Sequence, residues 1–194
     1  MERPIVESSF RVIGVPDGSG KRIRAAPHSQ ILFDKIADIM SAHPFAVRSF
    51  VHADIEAVLA VQAESPEIAP WSAWDYERVA RNEMAGWVAT EGTGVVGFLI
   101  ARRVISDVEI LNFAVATALR RQGIGTMLLG ECLGWAKSFS AEKALLEVRI
   151  SNLAAIRFYE RHNFEVVGRR PHYYNSPIED ALLLTAPIGI QPSD

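Results

Sequence analysis

The stretch LEVRISNLAAIRFYE, residues 146–160, changes its periodicity halfway along. Its first part alternates apolar and charged side chains, which indicates a β-strand with Glu147 on the face opposite its apolar neighbours. Its second part places Asn152, Ile156 and Tyr159 at i, i+4 and i+7, on one side of a helix. The stretch therefore predicts a strand–helix unit that carries a carboxylate, an amide and a phenol. Each has an ordinary structural alternative: a solvated strand carboxylate, a helix N-cap and a core tyrosine.

A second stretch, RRQGIGTMLL at residues 120–129, lies between a predicted strand and an apolar helix. We expect the helix to begin at about Gly123, where the first backbone N–H groups have no partner within the helix. Such a helix start attracts a phosphate, and glycines at 123 and 125 let the phosphate approach the backbone. Arg120 and Arg121 supply positive charge beside it. The alternative is a basic loop before a helix start that glycine softens. The pattern lacks the third glycine of GxGxxG and the Lys-Ser/Thr of a P-loop.

Short strands and helices alternate from residue 45 onward. The predicted order is β-α-α-β-β-β-α-β-α-β-β, with Asp54 and Ser72 as the predicted N-caps of the first two helices. This order lacks the repeated βαβ winding of a doubly wound nucleotide-binding fold. We expect a mixed α/β fold, with a mostly antiparallel central sheet and flanking helices.

The first 44 residues differ in sequence pattern from the rest of the chain. The turn-forming cluster GVPDGSGK at residues 14–21 separates two segments that we expect to pair as a short hairpin. HSQILFDKIADIM, residues 28–40, has the apolar spacing of an amphipathic helix. We therefore divide the chain into an N-terminal extension, residues 1–44, and a domain, residues 45–190.

Composition and charge exclude several classes of function. Apolar residues make up 49% of the chain and charged residues 22%, as in ordinary soluble globular proteins. A net charge of −3 argues against a nucleic-acid partner, and no apolar run is long enough to span a membrane. Cys132 is the only cysteine, and the N-terminus lacks a signal-peptide pattern, so we expect a cytoplasmic protein. The five histidines show no metal-ligand spacing, and we expect no metal.

The segments NFAV, RRQGIGTMLL and LEVRISNLAAIRFYERHNF, in this order, resemble the GNAT superfamily of acetyl-CoA-dependent N-acetyltransferases. The phosphate loop of that superfamily is Q/R-x-x-G-x-G/A, which Arg120, Gly123 and Gly125 match. Within the superfamily, the long motif, PWS at residues 70–72 and YYNSPIEDA at residues 173–181 are most similar to bacterial ribosomal-protein-alanine N-acetyltransferases. The likeness extends over about residues 46–188 and implies the GNAT fold for the domain.

The resemblance also implies a role for each matching residue. Glu147 matches the family's general base, Tyr159 its general acid and Asn152 an asparagine that contacts the cofactor. The strand whose backbone pairs with the pantetheine arm of acetyl-CoA is matched by Phe113, Ala114 and Val115. The loop around the pyrophosphate is matched by Arg120, Arg121, Gln122, Gly123, Ile124, Gly125 and Thr126. The chain departs from the family in its N-terminal extension and in HNF at residues 162–164, which replaces the usual Gly-Phe.

The implied reaction is direct transfer of an acetyl group from acetyl-CoA to a protein N-terminal α-amine, an alanine of a ribosomal protein. An α-amine titrates near ~8 and lysine near ~10.4, so an α-amine needs only a modest base. Glu179 and Asp180 are the candidate acidic groups around a positive peptide. Trp71, Trp74, Tyr173 and Tyr174 are candidates to line a peptide groove, and the alternative for these four is ordinary packing. Two alternatives stay open: a GNAT enzyme for a lysine side chain, a polyamine or another small amine, and a CoA-binding regulatory module without catalysis.

Overall fold

The computed structural model describes residues 44–188. The predicted hairpin and amphipathic helix of residues 1–44 lie outside the described residues. They stay predictions, as does the domain boundary. None of the described helices is both long enough and apolar enough to cross a membrane.

Seven strands and four helices follow one another in the predicted order. The strands and helices are β1 (Phe45–Ser49), α1 (Ile55–Ala63), α2 (Ala73–Ala80), β2 (Ala85–Glu91), β3 (Gly94–Val104), β4 (Asp107–Val115), α3 (Ile124–Ser138), β5 (Lys143–Arg149), α4 (Leu153–Glu160), β6 (Glu165–Asn175) and β7 (Ile178–Pro187). Short 3₁₀ turns precede α1 at His52–Asp54 and α3 at Thr117–Leu119.

All seven strands form one sheet, in the order β1-β2-β3-β4-β5-β7-β6. Only the central β4–β5 pair is parallel, which confirms a mixed, mostly antiparallel sheet. The parallel ladder is short, since it joins Val108–Ile110 of β4 to Ala144–Leu146 of β5. Beyond these residues no ladder joins the two strands anywhere in the described range. The sheet therefore opens along a gap between the ends of β4 and β5.

β4 carries a β-bulge beside this gap. Its register with β3 skips Leu111 between Ile110 and Asn112, so Leu111 is the extra residue. The bulge shifts the alternation of side chains by one position. As a result Ile110 and Phe113 pack in the same core, while Asn112 turns to the other face of the sheet.

Helices cover both faces of the sheet. α3 and α4 pack on one face, where Leu128 and Ile156 belong to the larger core. α1 and α2 pack on the other face, around the fully buried Val58, Tyr76 and Phe98. Because both faces are covered, the central strand β3 is apolar on both sides over Val96–Ala101.

The two predicted N-caps have different outcomes. Ser72 is confirmed, since its Oγ accepts from the amide of Asp75 at 3.4 Å and its own amide donates to Asp75 at 2.8 Å. Asp54 is the N-cap residue of α1, as predicted, but its side chain makes no capping hydrogen bond with the helix. Its carboxylate accepts two bonds of 2.7 Å from Arg48 and one of 2.8 Å from the amide of Val51. These bonds fasten β1 to the turn that follows it.

Candidate functional site

A cleft of about 510 Å³ lies between the end of β4, the loop before α3 and the helix α4. Its volume is in the range of ligand-binding clefts. The residues of the predicted site that line it are Phe113, Ala114, Val115, Arg120, Arg121, Gly123, Ile124, Gly125, Thr126, Asn152 and Tyr159. Gln122 and Glu147 are not among the lining residues. The structure thus brings together most of a site whose members are spread over 47 positions from Phe113 to Tyr159.

The loop before α3 lines the cleft with consecutive residues around its left-handed turn. Arg121 and Gly123 have φ angles of +66° and +88°, and α3 begins immediately afterwards at Ile124. Among the described residues, no group accepts from the amides of residues 121–126. Successive free amides at the start of a 15-residue helix form an anion site, because the helix dipole adds partial positive charge there. This is the helix start that the sequence predicts.

The two glycines of this loop serve different steric needs. A Cβ at Gly123 would meet nothing within 4 Å, so Gly123 is required for its left-handed backbone. A Cβ at Gly125 would lie 3.2 Å from Phe158 and 3.4 Å from Phe113. Close packing of α3 against these two rings is therefore a second reason for glycine at 125, beside the predicted approach of a phosphate.

Arg120 is engaged with the protein itself. Its guanidinium lies 2.9 Å from a carboxylate oxygen of Glu67 and donates to Ser65 Oγ at 2.8 Å and to the carbonyl of Val115 at 3.0 Å. These bonds join the end of β4 to the loop between α1 and α2. Arg121 is exposed, and within residues 44–188 no acidic side chain pairs with it. Of the two arginines, Arg121 is the one whose charge is available to a ligand.

α4 closes the opposite wall of the cleft. Asn152 is its N-cap, with Oδ1 accepting from the amide of Ala155 at 3.1 Å. The residue therefore has the capping role considered in the sequence analysis, and it also lines the cleft. At the other end of α4, His162 Nε2 lies 3.1 Å from Thr126 Oγ1 and its Nδ1 lies 2.8 Å from the carbonyl of Phe158. This contact ties the end of α4 to the start of α3.

Glu147 and Tyr159 approach the gap in the sheet from opposite faces. The neighbours of Glu147 on β5, Leu146 and Val148, belong to the core under α3 and α4. Because side chains alternate along a strand, Glu147 points to the other face. Its side chain is 17% exposed, and Oε1 lies 3.0 Å from Arg170 Nη1. The alternative of a freely solvated strand carboxylate therefore does not describe it.

Tyr159 lies on the helix face, packed between Phe113, Phe158 and Phe164 with ring centroids 5.3–6.3 Å apart. Burial raises the pKa of its hydroxyl well above the ordinary value of 10.0, and nearby Cys132 and Tyr174 add to the rise. The phenol therefore stays protonated at neutral pH. It is both a core tyrosine and part of the cleft lining.

The turn between β6 and β7 is fixed to the end of β5. Arg149, 9% exposed, donates to Glu179 at 3.1 Å and to the carbonyl of Ser176 at 3.1 Å, and its guanidinium lies 4.1 Å from the centroid of the Tyr174 ring. Glu179 also accepts from the amide of Ser151 at 2.6 Å. Burial, followed by the charge of Glu147, raises the pKa of Tyr174 to about 12.

Several residues that were expected near the acceptor peptide make contacts within the protein instead. Glu179 is paired with Arg149, and Asp180 is paired with Arg169. Trp71 packs against Tyr76 in the second core, whereas Trp74 is 60% exposed. The charges of Glu179 and Asp180 are therefore both neutralised by arginines and are not available to attract a peptide.

Sequence reasoning missed Arg170, and it missed the cleft residues Ser65, Glu67, Phe158 and His162. His162 lies three residues after Tyr159, so helical spacing around Tyr159 was a usable signal for it, whereas Phe158 directly precedes Tyr159 and that spacing does not indicate it. Arg170, Ser65 and Glu67 come from other elements, and no local pattern indicates them.

Three comparisons show what the chain is similar to. The model of the Acetyltransferase (GNAT) family matches residues 50–164. An N-alpha-acetyltransferase from Sulfolobus acidocaldarius is 30% identical over 158 residues, which cover 74% of this chain and 93% of that protein. The crystal structure of the ribosomal-protein-S18-alanine N-acetyltransferase from Escherichia coli superposes with a TM-score of 0.68 at 26% identity, covering 77% of this chain and 97% of that one.

The fold is also shared with Arabidopsis thaliana NAA60, which was solved in complex with acetyl-CoA. That structure has a TM-score of 0.67 and 21% identity, and the match covers 74% of this chain and 98% of that one. These similarities confirm the predicted resemblance and the predicted fold class.

Proposed function

This chain belongs to the acetyltransferase (GNAT) family, and from that membership we propose that it acetylates the N-terminal α-amine of a protein, with an alanine of a ribosomal protein as the favoured acceptor. The predicted enzyme class, an acetyl-CoA-dependent N-acetyltransferase, is confirmed by the family. The choice of acceptor rests on similarity to relatives named for N-alpha and S18-alanine acetylation. A cytoplasmic location belongs to the same proposal, because ribosomal proteins are made there.

One observation carries the proposal: a helix start with unpartnered amides opens into the same cleft as the free end of β4, beside the gap in the sheet. The amides at residues 121–126 suit the diphosphate of acetyl-CoA. Phe113–Val115 have no β5 partner along the gap, so their backbone is available to the pantetheine arm. In the proposed complex the thioester lies at the gap, between Tyr159 on one face and Glu147 on the other.

The proposed reaction is direct transfer in a complex of both substrates. The nitrogen lone pair of the amine attacks the thioester carbonyl, Glu147 accepts the amine proton, and the carbon–sulfur bond breaks. The departing CoA thiolate takes the phenolic proton of Tyr159. Solvent then returns a proton to Tyr159 and removes one from Glu147. The raised pKa of Tyr159 keeps its proton in place until the thiolate forms.

An α-amine suits this arrangement better than a lysine side chain. Its pKa of ~8 leaves a substantial neutral fraction at neutral pH, whereas lysine at ~10.4 is almost fully charged. A carboxylate at the gap is a weak base, so it can deprotonate the former more readily than the latter.

The proposal is tested with acetyl-CoA and three peptides of otherwise identical sequence. The first has a free N-terminal alanine, the second has that amine blocked, and the third has the amine blocked and a lysine added. We expect turnover of the first peptide alone. Turnover that needs the lysine would assign another acceptor class, and CoA binding without turnover of any peptide would favour a regulatory module.

A further inference from the structure

The carboxylate of Glu147 is already occupied by a cation of the protein. Arg170 Nη1 lies 3.0 Å from Glu147 Oε1, and the two side chains differ in their surroundings, at 56% exposed for Arg170 and 17% for Glu147. Glu147 is held on the central strand β5, whereas Arg170 reaches it from β6 at the edge of the sheet. The carboxylate is therefore the fixed partner and the guanidinium is the one that can leave.

The backbone of β6 is shaped to bring this arginine to the site. The register with β7 is interrupted between Arg170, opposite Ala181, and Tyr174, opposite Glu179. Within the interruption His172 has a φ angle of +52°. The irregular segment lets Arg170 reach Glu147 while Tyr173, three residues further on, lies beside the same guanidinium. In a regular strand, residues three apart would point to opposite faces.

Tyr173 is influenced by both members of the Arg170–Glu147 pair. The pKa of Tyr173 is raised, chiefly by its interaction with the carboxylate of Glu147 and then by burial, while Arg170 lowers it. The guanidinium of Arg170 lies 5.6 Å from the centroid of the Tyr173 ring. The other charged group that acts on Tyr173 is the carboxylate of Glu109, which is paired with Arg102 at 2.6 Å.

We propose that Arg170 is an internal competitor of the acceptor amine, in that its guanidinium occupies the Glu147 carboxylate until a cationic acceptor displaces it. This inference rests on the proposed function, in which Glu147 receives the amine. Both groups are cations with N–H donors, and like charges beside one carboxylate repel each other. An acceptor without positive charge gains nothing by displacing Arg170. The competition therefore acts on the protonated fraction of an α-amine, which must lose a proton before its lone pair can attack the thioester.

The Arg170–Glu147 ion pair is weak enough for a bound acceptor to displace Arg170. Ion pairs with one partner more than half exposed contribute little, because water and salt screen them. Removing the arginine charge should therefore lower the KM for the acceptor about threefold, and by no more than about fivefold. The kcat should not change, since Arg170 is displaced once the acceptor is bound.

The experiment compares Arg170→Met, Arg170→Lys and Arg169→Met with the wild-type enzyme. Methionine keeps the apolar stem near Tyr173 and removes the charge, while lysine keeps the charge. Arg169 is the matched control, because it is the adjacent arginine and pairs with Asp180 instead of Glu147. The kcat and KM are measured for the alanine peptide and for acetyl-CoA.

We expect a lower acceptor KM for Arg170→Met alone, with the KM for acetyl-CoA unchanged in all three variants. An unchanged or higher acceptor KM in Arg170→Met would overturn the inference. So would a fall in kcat, which would make Arg170 a group that orients Glu147, or an equal effect of Arg169→Met. If the wild type turns over no α-amine peptide, the proposed function fails separately. The same variants are then compared by calorimetric binding of the free-amine and blocked peptides to the CoA complex.

Discussion

The proposed base and acid are single residues on opposite faces of the sheet. Glu147 lies on one face and is absent from the lining of the cleft, whereas Tyr159 lies on the other face and belongs to that lining. Substitutions at the two positions should therefore differ in which substrate they affect.

Glu147→Gln should reduce kcat by about 10²–10⁴-fold, the usual range for a positioned base. The KM for acetyl-CoA should change little, because the Glu147 side chain does not line the cleft. Initial rates at varied acetyl-CoA concentration measure both constants. Glu109→Gln is the matched control on the next strand, and its kcat should stay near that of the wild type. Equal turnover by Glu147→Gln would remove Glu147 from the mechanism.

For single residues, the sequence predicts most of those that line the cleft, but not the contacts that they make with distant parts of the chain. Asn152 and Tyr159 were predictable because helical spacing is local. The contacts of Arg120 with Glu67 and of Arg170 with Glu147 join residues 53 and 23 positions apart. Such partners depend on how strands and loops pack together, and no local pattern of charge or apolarity encodes them.

The start of α3 is the element to which we assign binding of the acetyl-CoA diphosphate. Gly123→Val should cost roughly 1–2 kcal/mol of stability, because a branched side chain is strained at a φ of +88°. It should also raise the KM for acetyl-CoA, since the amides of the loop lose their arrangement. Thermal unfolding and initial rates measure the two effects.

Gly130→Ala is the control within the same helix. Its Cβ would meet nothing within 4 Å, and its backbone φ is not positive. It should leave the KM unchanged and stabilise the helix by up to ~1 kcal/mol. A Gly123→Val enzyme with an unchanged KM for acetyl-CoA would contradict the phosphate role of the loop.

The order of the elements was predictable, whereas their ends and the gap were not. Apolar periodicity predicts each strand and helix in turn, but it does not set the end of β6 at Asn175. The gap arises because the β4–β5 ladder stops at Ile110 and Leu146, beside the bulge at Leu111. Strand pairing of this kind is a long-range property that alternation alone does not specify.

For the whole molecule, stability should fall in acid. The pKa of Asp54 is lowered from its ordinary value of 3.8: burial alone would raise it, but bonds from Arg48 and Val51 outweigh burial. The pKa of Glu179 is lowered from 4.5, chiefly by its hydrogen bond with Ser151. A lowered folded-state pKa gives stability that is present above the ordinary value and is lost as pH falls toward the folded value. Denaturant unfolding between pH 6 and pH 3 measures this loss.

Asp54→Asn separates one contribution to the acid effect. It should cost about 1–2 kcal/mol at neutral pH, where the Arg48 pair is formed, and less at pH 3. Glu83→Gln, at an exposed pair, should have a smaller effect. An equal cost of Asp54→Asn at both pH values would contradict the role of its charge.

Acetyl-CoA should stabilise the folded chain, because the site proposed for it spans β4, α3 and α4. At a concentration about 100 times its Kd, mass action adds about 2.7 kcal/mol, or roughly 5–10 °C in Tm for a chain of this size. Pantetheine, which lacks the diphosphate, should give a much smaller shift. Equal shifts from the two compounds would argue against anion binding by the free amides. Thermal scans with each ligand make the comparison.

The placement of Tyr159 and Glu147 on opposite faces has a consequence for substrate binding and product release. In the proposed reaction, donor and acceptor approach the gap from opposite sides of the sheet, so neither blocks the other. A bulky acceptor, such as a polypeptide still held by the machinery that made it, would then stay bound while CoA leaves from the other side.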